Sequence, residues 1–462
     1  MSIFDKRQEI VAYIEAHRDN IIFNDKIFNI LEGNLIELVN ASLKEQLSPD
    51  SYKTAMERVS PINVLRKTNN KRSTLYTDTV TRETEEEQDA DLVSYYENET
   101  ATDSYFEDAN KGFNAYKNTV LEFYLYNGVV KTRQLPSTMF LPYSDDVVNP
   151  LRVTAMIKFM GSYSKASANH TARTVERFWV YTEDEFMAID SDGELINGDM
   201  EENEGRNDLG VIPFVYINKS RSLLVPMPDK DDLAISVLVP VLLTDLNFAA
   251  KFLAHSVFYG IDVDINQMKL SPDAVWIFKS DASGEGNTPQ IGTIKPEVSI
   301  NDVLTLIREQ LNAWLDTKSI KTSGMGNVNE NSVSGISKII DEADITLDRK
   351  QQMRIFREAE VEYWRTLAKI HNKAATAGAI ENKSLFSDPE KLIVKVEYSE
   401  QKVIENRVDI IDRLIKEVDA GFKSTKSAIS ELNPKKTEDE VEAMMEEISP
   451  LITIMEEDAG NE

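Results

Sequence analysis

The residues able to do chemistry are few and widely spaced. Four histidines, His17, His170, His255 and His371, stand far apart with neither HExxH nor HxH spacing. The 462 residues include no cysteine, which removes disulfides, thiolate metal sites and a thiol nucleophile, and suits a reducing cytosol. Neither a metal nor a cofactor is therefore expected. The carboxylates Asp341 and Glu342 offer an acid-base pair, but such work needs a converging pocket, and no spacing in the sequence shows one. Residues Asp190 to Asp199 imitate a calcium loop, yet Leu195 stands where the sharp turn demands glycine, so a β-turn with acidic decoration is expected. Lys321 to Ile336 is rich in Gly, Asn and Ser. No Lys-Ser/Thr pair follows its glycines and no strand leads into it, so it is a loop without phosphate-binding chemistry.

Charge narrows the classes further. Lys and Arg number 51 against 79 Asp and Glu, a formal net charge of −28, which argues against tight binding of nucleic acid, since that grip comes from cations neutralising phosphates. Hydrophobic residues are 41% and charged residues 28%, too apolar for disorder, and the length predicts roughly two to four folding units. The longest apolar-rich run, Leu233 to Leu243, contains Pro240 and is closed by Thr244 and Asp245. It falls short of the roughly 20 residues of a bilayer span, so no membrane helix is expected. Met1 to Glu9 lacks the apolar core of a signal peptide.

The elements that must position these residues follow from periodicity. Ile10, Val11, Ile14 and Ile21 form one helical stripe, and Ile27, Phe28, Leu31, Leu35, Val39 and Leu43 a second, which predicts two packed helices. A polar stretch, Lys67 to Arg72, precedes an acidic run from Glu83 to Asp91 that reads as a solvated face or loop. From Val120 the period becomes two, and Asn127-Gly128 between β-rich runs predicts a hairpin. Strands are expected at Leu151–Met160, Thr174–Tyr181 and Glu185–Asp190. A long apolar helical zone, Leu233 to Phe258, should be started or kinked by Pro240. Short β runs at 261–265, 274–278 and 290–294 lead to a helix capped by Ser299 or Asn301 and carrying Trp314. After the loop comes a long helix from Ile336, whose stripe slips between Leu347 and Met353 and so predicts a bend. A strand at Leu392–Tyr398, helices near Val403–Val418 and Thr437–Ile448, and an acidic tail end the chain.

The order of these pieces resembles the portal proteins of tailed bacteriophages, of the siphovirus-like type. The likeness is carried by Pro213-Phe-Val before the helical zone at Asp232 to Phe258, by Asn331-Ser-Val-Ser-Gly-Ile336 running into a helix, and by Gly421 to Pro434 followed by the acidic Thr437 to Glu447. The resemblance implies an α+β portal fold with wing, stem, clip and crown regions, a long bent helix and ring assembly. It maps a wing on 1–229, a first stem helix on 230–257, a clip on 258–298, a second stem helix on 299–319 and a tunnel loop on 320–335. The long bent helix then covers 336–378, the wing return 379–399, the crown 400–448 and the acidic tail 449–462.

The same resemblance implies a ring of twelve copies at one capsid vertex of the virion, assembled in the host cytoplasm. Double-stranded DNA would pass through it without sequence preference. The large terminase, a head-completion adaptor, and the major capsid and scaffolding proteins would be its partners, with no membrane and no catalysis of its own. Lys318, Lys321, Asn327, Asn329, Glu330 and Asn331 would face the channel; Val275, Trp276, Phe278, Asp281 and Gln290 would serve terminase or adaptor docking at the clip. Within 321–336 the lone Lys and lone Glu cancel, a surface over which DNA slides with little grip. The alternatives are another phage neck, tail or capsid-assembly protein, and an acid-base or nucleotide-dependent enzyme. A scaffold is disfavoured by 16 Tyr, 18 Phe and 4 Trp alongside a strand-rich middle.

Overall fold

The computed structural model describes residues 2–165, 173–200, 205–254, 257–261, 290–294, 300–320, 335–399, 407–433 and 442. The chain divides into a first unit, Met1–Thr322 with Asp344–Ser399, and a second, Ser323–Ala343 with Glu400–Glu462.

The first unit opens with helices. After a 3-10 turn at Ile3–Lys6 come α1 (Arg7–Ala16), α2 (Arg18–Glu32) and α3 (Leu35–Gln46), three helices where two stripes predicted two. The extra break falls at His17; the next is made by Gly33, whose φ of +103° is the left-handed cap a glycine takes without strain. Helix α4 (Pro49–Met56) starts on Ser48, whose hydroxyl accepts from the Ser51 amide, with Pro49 in the first turn. Helix α5 (Val64–Arg72) starts on Asn63, which accepts from the Arg66 amide, and absorbs the polar stretch 67–72.

Strand β1 (Thr81–Glu83), α6 (Glu87–Thr100) and α7 (Thr102–Tyr116) follow. Most of the acidic run is exposed as expected. Asp89 is the exception: it is buried and accepts from the Ser387 amide and hydroxyl.

The strands are β2 (Asn118–Tyr126), β3 (Val129–Leu135), β4 (Phe140–Tyr143), β5 (Ala155–Lys165), β6 (Arg173–Tyr181), β7 (Phe186–Asp190) and β8 (Phe214–Asn218). They form two antiparallel sheets, ordered β3-β2-β8 and β4-β5-β6-β7. The β2–β3 turn is Asn127-Gly128 with φ of 50° and 71°, the doubly left-handed turn that its residues favour. The acidic turn after β7 is also as expected: Asp190 accepts from the amides of Asp192 and Glu194, and Gly193 has φ of +79°.

Helix α8 (Lys230–Ala254) runs through Pro240 rather than starting there. Nearby hydroxyls turn to backbone carbonyls, Ser236 to Asp232 and Thr244 to Pro240. The pair β9 (Val257–Ile261) and β10 (Gln290–Ile294) is antiparallel. Helix α9 (Ile300–Thr317), the part of the 43-residue α10 (Gly335–Ala377) from Asp344 onward, and β11 (Lys395–Glu397) complete the first unit's elements, and β11 pairs with β1. The second unit contains α11 (Arg407–Asp419) and α12 (Thr425–Leu432), the latter capped by Ser424 within the stretch expected to separate two helices. The helix expected at Thr437–Ile448 lies outside the described residues apart from position 442. The chain is therefore α+β, as the sequence predicts.

Two cores hold the long helices in place. One joins α6, α7, β2 and β8 to α10 through Phe106, Phe113, Phe123, Phe356, Tyr363 and Trp364. The other joins α2, α3 and α5 to α8 and α9 through Ile27, Val39, Leu65, Ile235, Ile307 and Trp314. One expectation needs correction. Lys230–Ala250 has a mean hydropathy of 1.9 and only 28% of it is buried, so by length and composition it could cross a membrane. The shorter run Leu233–Leu243 understated it because Asp245 and Asn247 interrupt the run without lowering the average enough.

Candidate functional site

The apolar helix α8 and the amphipathic helix α9 are joined at one end by charge. The last turn of α9 brings Lys318 onto the first turn of α8. Its ammonium lies 2.6 Å from Asp232, 2.9 Å from Asp229 and 3.8 Å from Asp231, with the side chain 6% exposed. The Trp314 indole N–H also donates to Asp232 at 3.0 Å. Carboxylates at a helix start and a cation at a helix end both complement the helix dipoles. This corrects the expectation that Lys318 offers a cation to the channel: its charge is buried among carboxylates of its own chain.

The electrostatics of the cluster follow from this geometry. Burial pushes Asp232 above the usual carboxylate range despite its bonds to Lys318 and Trp314. At Asp229 burial acts upward as well, but Lys117 and Lys318 prevail and hold it at about 2. Lys318 is raised, since its carboxylate partners outweigh the cost of burial. The three carboxylates lie close enough together to suggest a metal site. Lys318 already supplies the positive charge at their centre, so this donor set does not fit a cation.

A second line of charge begins at Asp229, whose other oxygen receives Lys117 at 2.6 Å. Lys117 ends α7 in the left-handed region, φ 63°, and the Lys219 amide donates to its carbonyl at 2.8 Å. The Lys219 ammonium stands 5.6 Å from the Phe113 ring centre and 3.9 Å from Asp348 of α10. Asp348 in turn takes two bonds from Arg72 at 3.0 and 3.1 Å and one from Gln352 at 2.9 Å. Burial, then the neighbouring Arg72, lowers Lys219 to about 8.

A third network lies under β1. The Arg82 guanidinium, 1% exposed, forms a fork on the fully buried Glu360 at 2.6 and 3.1 Å, and its remaining nitrogen meets Glu97 and Asp103, each at 2.7 Å. Tyr76 and Trp364 also donate to Glu360. Its carboxylate is thus saturated, the condition under which a buried ion pair is tolerated. His371 is likewise buried and fully bonded, to the Tyr96 hydroxyl and the Ser384 carbonyl, each at 2.6 Å. Burial holds it below its ordinary pKa.

A cleft of about 730 Å³ lies between α2, α5 and α7, with Phe28, Leu31, Arg66, Asn70, Tyr116 and Gln134 among its walls. Lys111, also in it, is engaged by Glu107 and Asp108.

Of the residues expected at the channel, Lys321, Asn327, Asn329, Glu330 and Asn331 lie outside the described residues, as do Val275, Trp276, Phe278 and Asp281 of the expected docking surface. Gln290 is placed by its backbone, opposite Ile261 in the β9–β10 pair. Asp341 and Glu342 fall within α10, and no position is described for their side chains. The charge networks escaped sequence reasoning. The acidic start Asp229-Lys-Asp231-Asp232 was a visible helix-opening signal, but nothing local in the sequence names Lys318, far along the chain, as its partner. Neither the models of known protein families nor the curated proteins include a match to this chain.

Proposed function

We propose that the chain is the repeating subunit of a phage portal, a ring at one capsid vertex through which double-stranded DNA is packaged and later released. The reading is supported by the order of elements. A part with helices first and strands second leads into the apolar 25-residue α8, a short antiparallel pair β9–β10, the amphipathic α9 and the 43-residue α10, whose chain returns through β11 to the first strand. In this reading α8 and α9 are the stem, β9–β10 the base of the clip, residues 320–335 the tunnel loop and α10 the helix between channel and wing.

The surface of α8 favours a partner of the same kind. It is apolar along its length and in part only half-buried, with Leu238 exposed on it and Leu306 exposed on α9. Isolated soluble chains rarely leave such surface to water. Copies of the same chain in a closed ring cover it, because a head-to-tail contact that closes buries it once per subunit. The terminase would supply ATP hydrolysis, and the adaptor, capsid and scaffolding proteins would dock outside the channel.

Electron microscopy of the purified chain viewed end-on is the test. A ring of twelve with an open centre is the expected result. A monomer at assembly concentration, a closed particle without a channel, or recovery only with lipid vesicles would overturn the reading, the last in favour of a membrane-inserted α8.

A further inference from the structure

The first unit is interrupted between Thr322 and Asp344, where the chain departs and re-enters. Both points are held by charge. On the departing side α9 ends in a Schellman turn: Ile320 bonds back to Leu315 at 3.0 Å and Ser319 to Asp316 at 3.1 Å. The left-handed position is occupied by Ser319, φ 60°, where glycine is usual. A residue kept in that region needs over-determined surroundings. These are supplied by the burial of Ile320 and by the neighbouring Lys318, fixed to Asp229 and Asp232. On the re-entering side Asp348 of α10 is fixed by Arg72, Gln352 and Lys219.

Sheet register joins the two sides. Asn118 of β2 pairs with Asn218 of β8, so the residues flanking that pair, Lys117 and Lys219, emerge side by side. One turns to Asp229 and the other to Asp348.

We propose that Asp229 and Asp348 are the two anchor points of a single charge bridge, Lys318–Asp229–Lys117 beside Lys219–Asp348–Arg72, which couples the end of α9 to α10 across the sheet rim. Loosening either anchor loosens the other. Asp229 and Asp348 are positioning residues, and their role in a channel rests on the portal reading: the bridge fixes both roots of the segment that would line the channel. The coupling itself does not depend on that reading.

Hydrogen exchange of the full-length chain, followed by mass spectrometry over 315–320 and 344–352, tests it. In Asp229→Asn both segments should exchange faster, the distant one on the order of tenfold, as expected for a coupling of ordinary strength. Asp348→Asn should do the same in reverse, and the double variant should exceed either single one by less than their product. Acceleration confined to the mutated side in both variants overturns the proposal.

If Asp229→Asn does not fold, Lys117→Met provides a second test. It leaves Lys318 on Asp229 and cuts only the bridge, so it should raise exchange at 344–352 while sparing 315–320; unchanged exchange at 344–352 refutes the coupling. Ring formation together with independent exchange of the two segments in both variants would sink the coupling and keep the portal reading. Coupled ends in a chain that forms no ring would do the opposite.

Discussion

Arg82 and Glu360 show how one buried charge pair joins segments far apart in the sequence. The fork between them sits under β1 and against Trp364, with the guanidinium 6.0 Å from that ring. Removing one partner leaves the other buried and uncompensated. Glu360→Gln should therefore lower unfolding free energy by about 3–5 kcal/mol, measured by urea denaturation, and Arg82→Met with Glu360→Met together should cost less than the sum of the single changes. His371 adds a pH dependence. Its folded pKa lies below the 6.5 of the free side chain, so its contribution is fully present above pH 6.5 and is lost as pH falls toward the lowered folded value. Below pH 6.5 the stability of the wild type should fall more steeply with falling pH than that of His371→Gln, by at most about 1.4 kcal/mol per pH unit. Lys219 works at the other end of the scale. With a folded value of about 8 against 10.5, its unfolded form binds the extra proton, so stability should rise between those values and Lys219→Met should flatten the rise.

At the scale of elements, in the proposed ring α8 is the helix that decides between assembly and isolation. Leu238 is 38% exposed and Leu306 48%, so neither is needed to close the core of a single chain. Leu238→Glu should leave the melting temperature of the monomer within about one or two degrees, since exposed substitutions cost little, while reducing ring formation in size-exclusion chromatography or mass photometry. Much of this level was legible in the sequence. The Asn127-Gly128 hairpin, the strands near 155–165, 173–181 and 186–190, the helix with Trp314 and the long helix after the loop all follow from local period and turn chemistry. The misses were of one kind. His17 breaks a stripe whose apolar positions continue across it, and Pro240 sits inside a helix whose neighbouring hydroxyls bond to carbonyls around it. Lys318 looked like a free helix end because its carboxylates lie 86 to 89 residues earlier in the numbering, at Asp229 to Asp232. Period and composition report what an element is; they do not report which distant element answers its charge.

For the whole molecule the relevant quantity is charge. In the proposed ring, a subunit at −28 multiplied around the axis would make a wall that repels DNA over distances of about a Debye length, roughly 8 Å at physiological salt. With Lys318 neutralised by its own neighbours, the described part of α9 offers still less grip than the sequence suggested. DNA retention by the purified ring on a filter should therefore be weak at physiological salt and nearly independent of sequence, and the ring alone should release no phosphate from ATP. Strong retention, or hydrolysis by the ring without a second protein, would contradict the proposed role.

The pairing of β1 with β11 sets the order in which such a molecule can come into being. Thr81 to Glu83 cannot find Lys395 to Glu397, nor Tyr76 its bond to Tyr398, until most of the polypeptide has left the ribosome. The core around Tyr76 therefore stays open through most of the synthesis of the first unit, although α2, α3 and α5 are already made when α8 emerges and can pack on it. Long-range closure of this sort is slow and invites wrong association. Translation speed and chaperone supply, rather than final stability, should then limit how many subunits reach assembly.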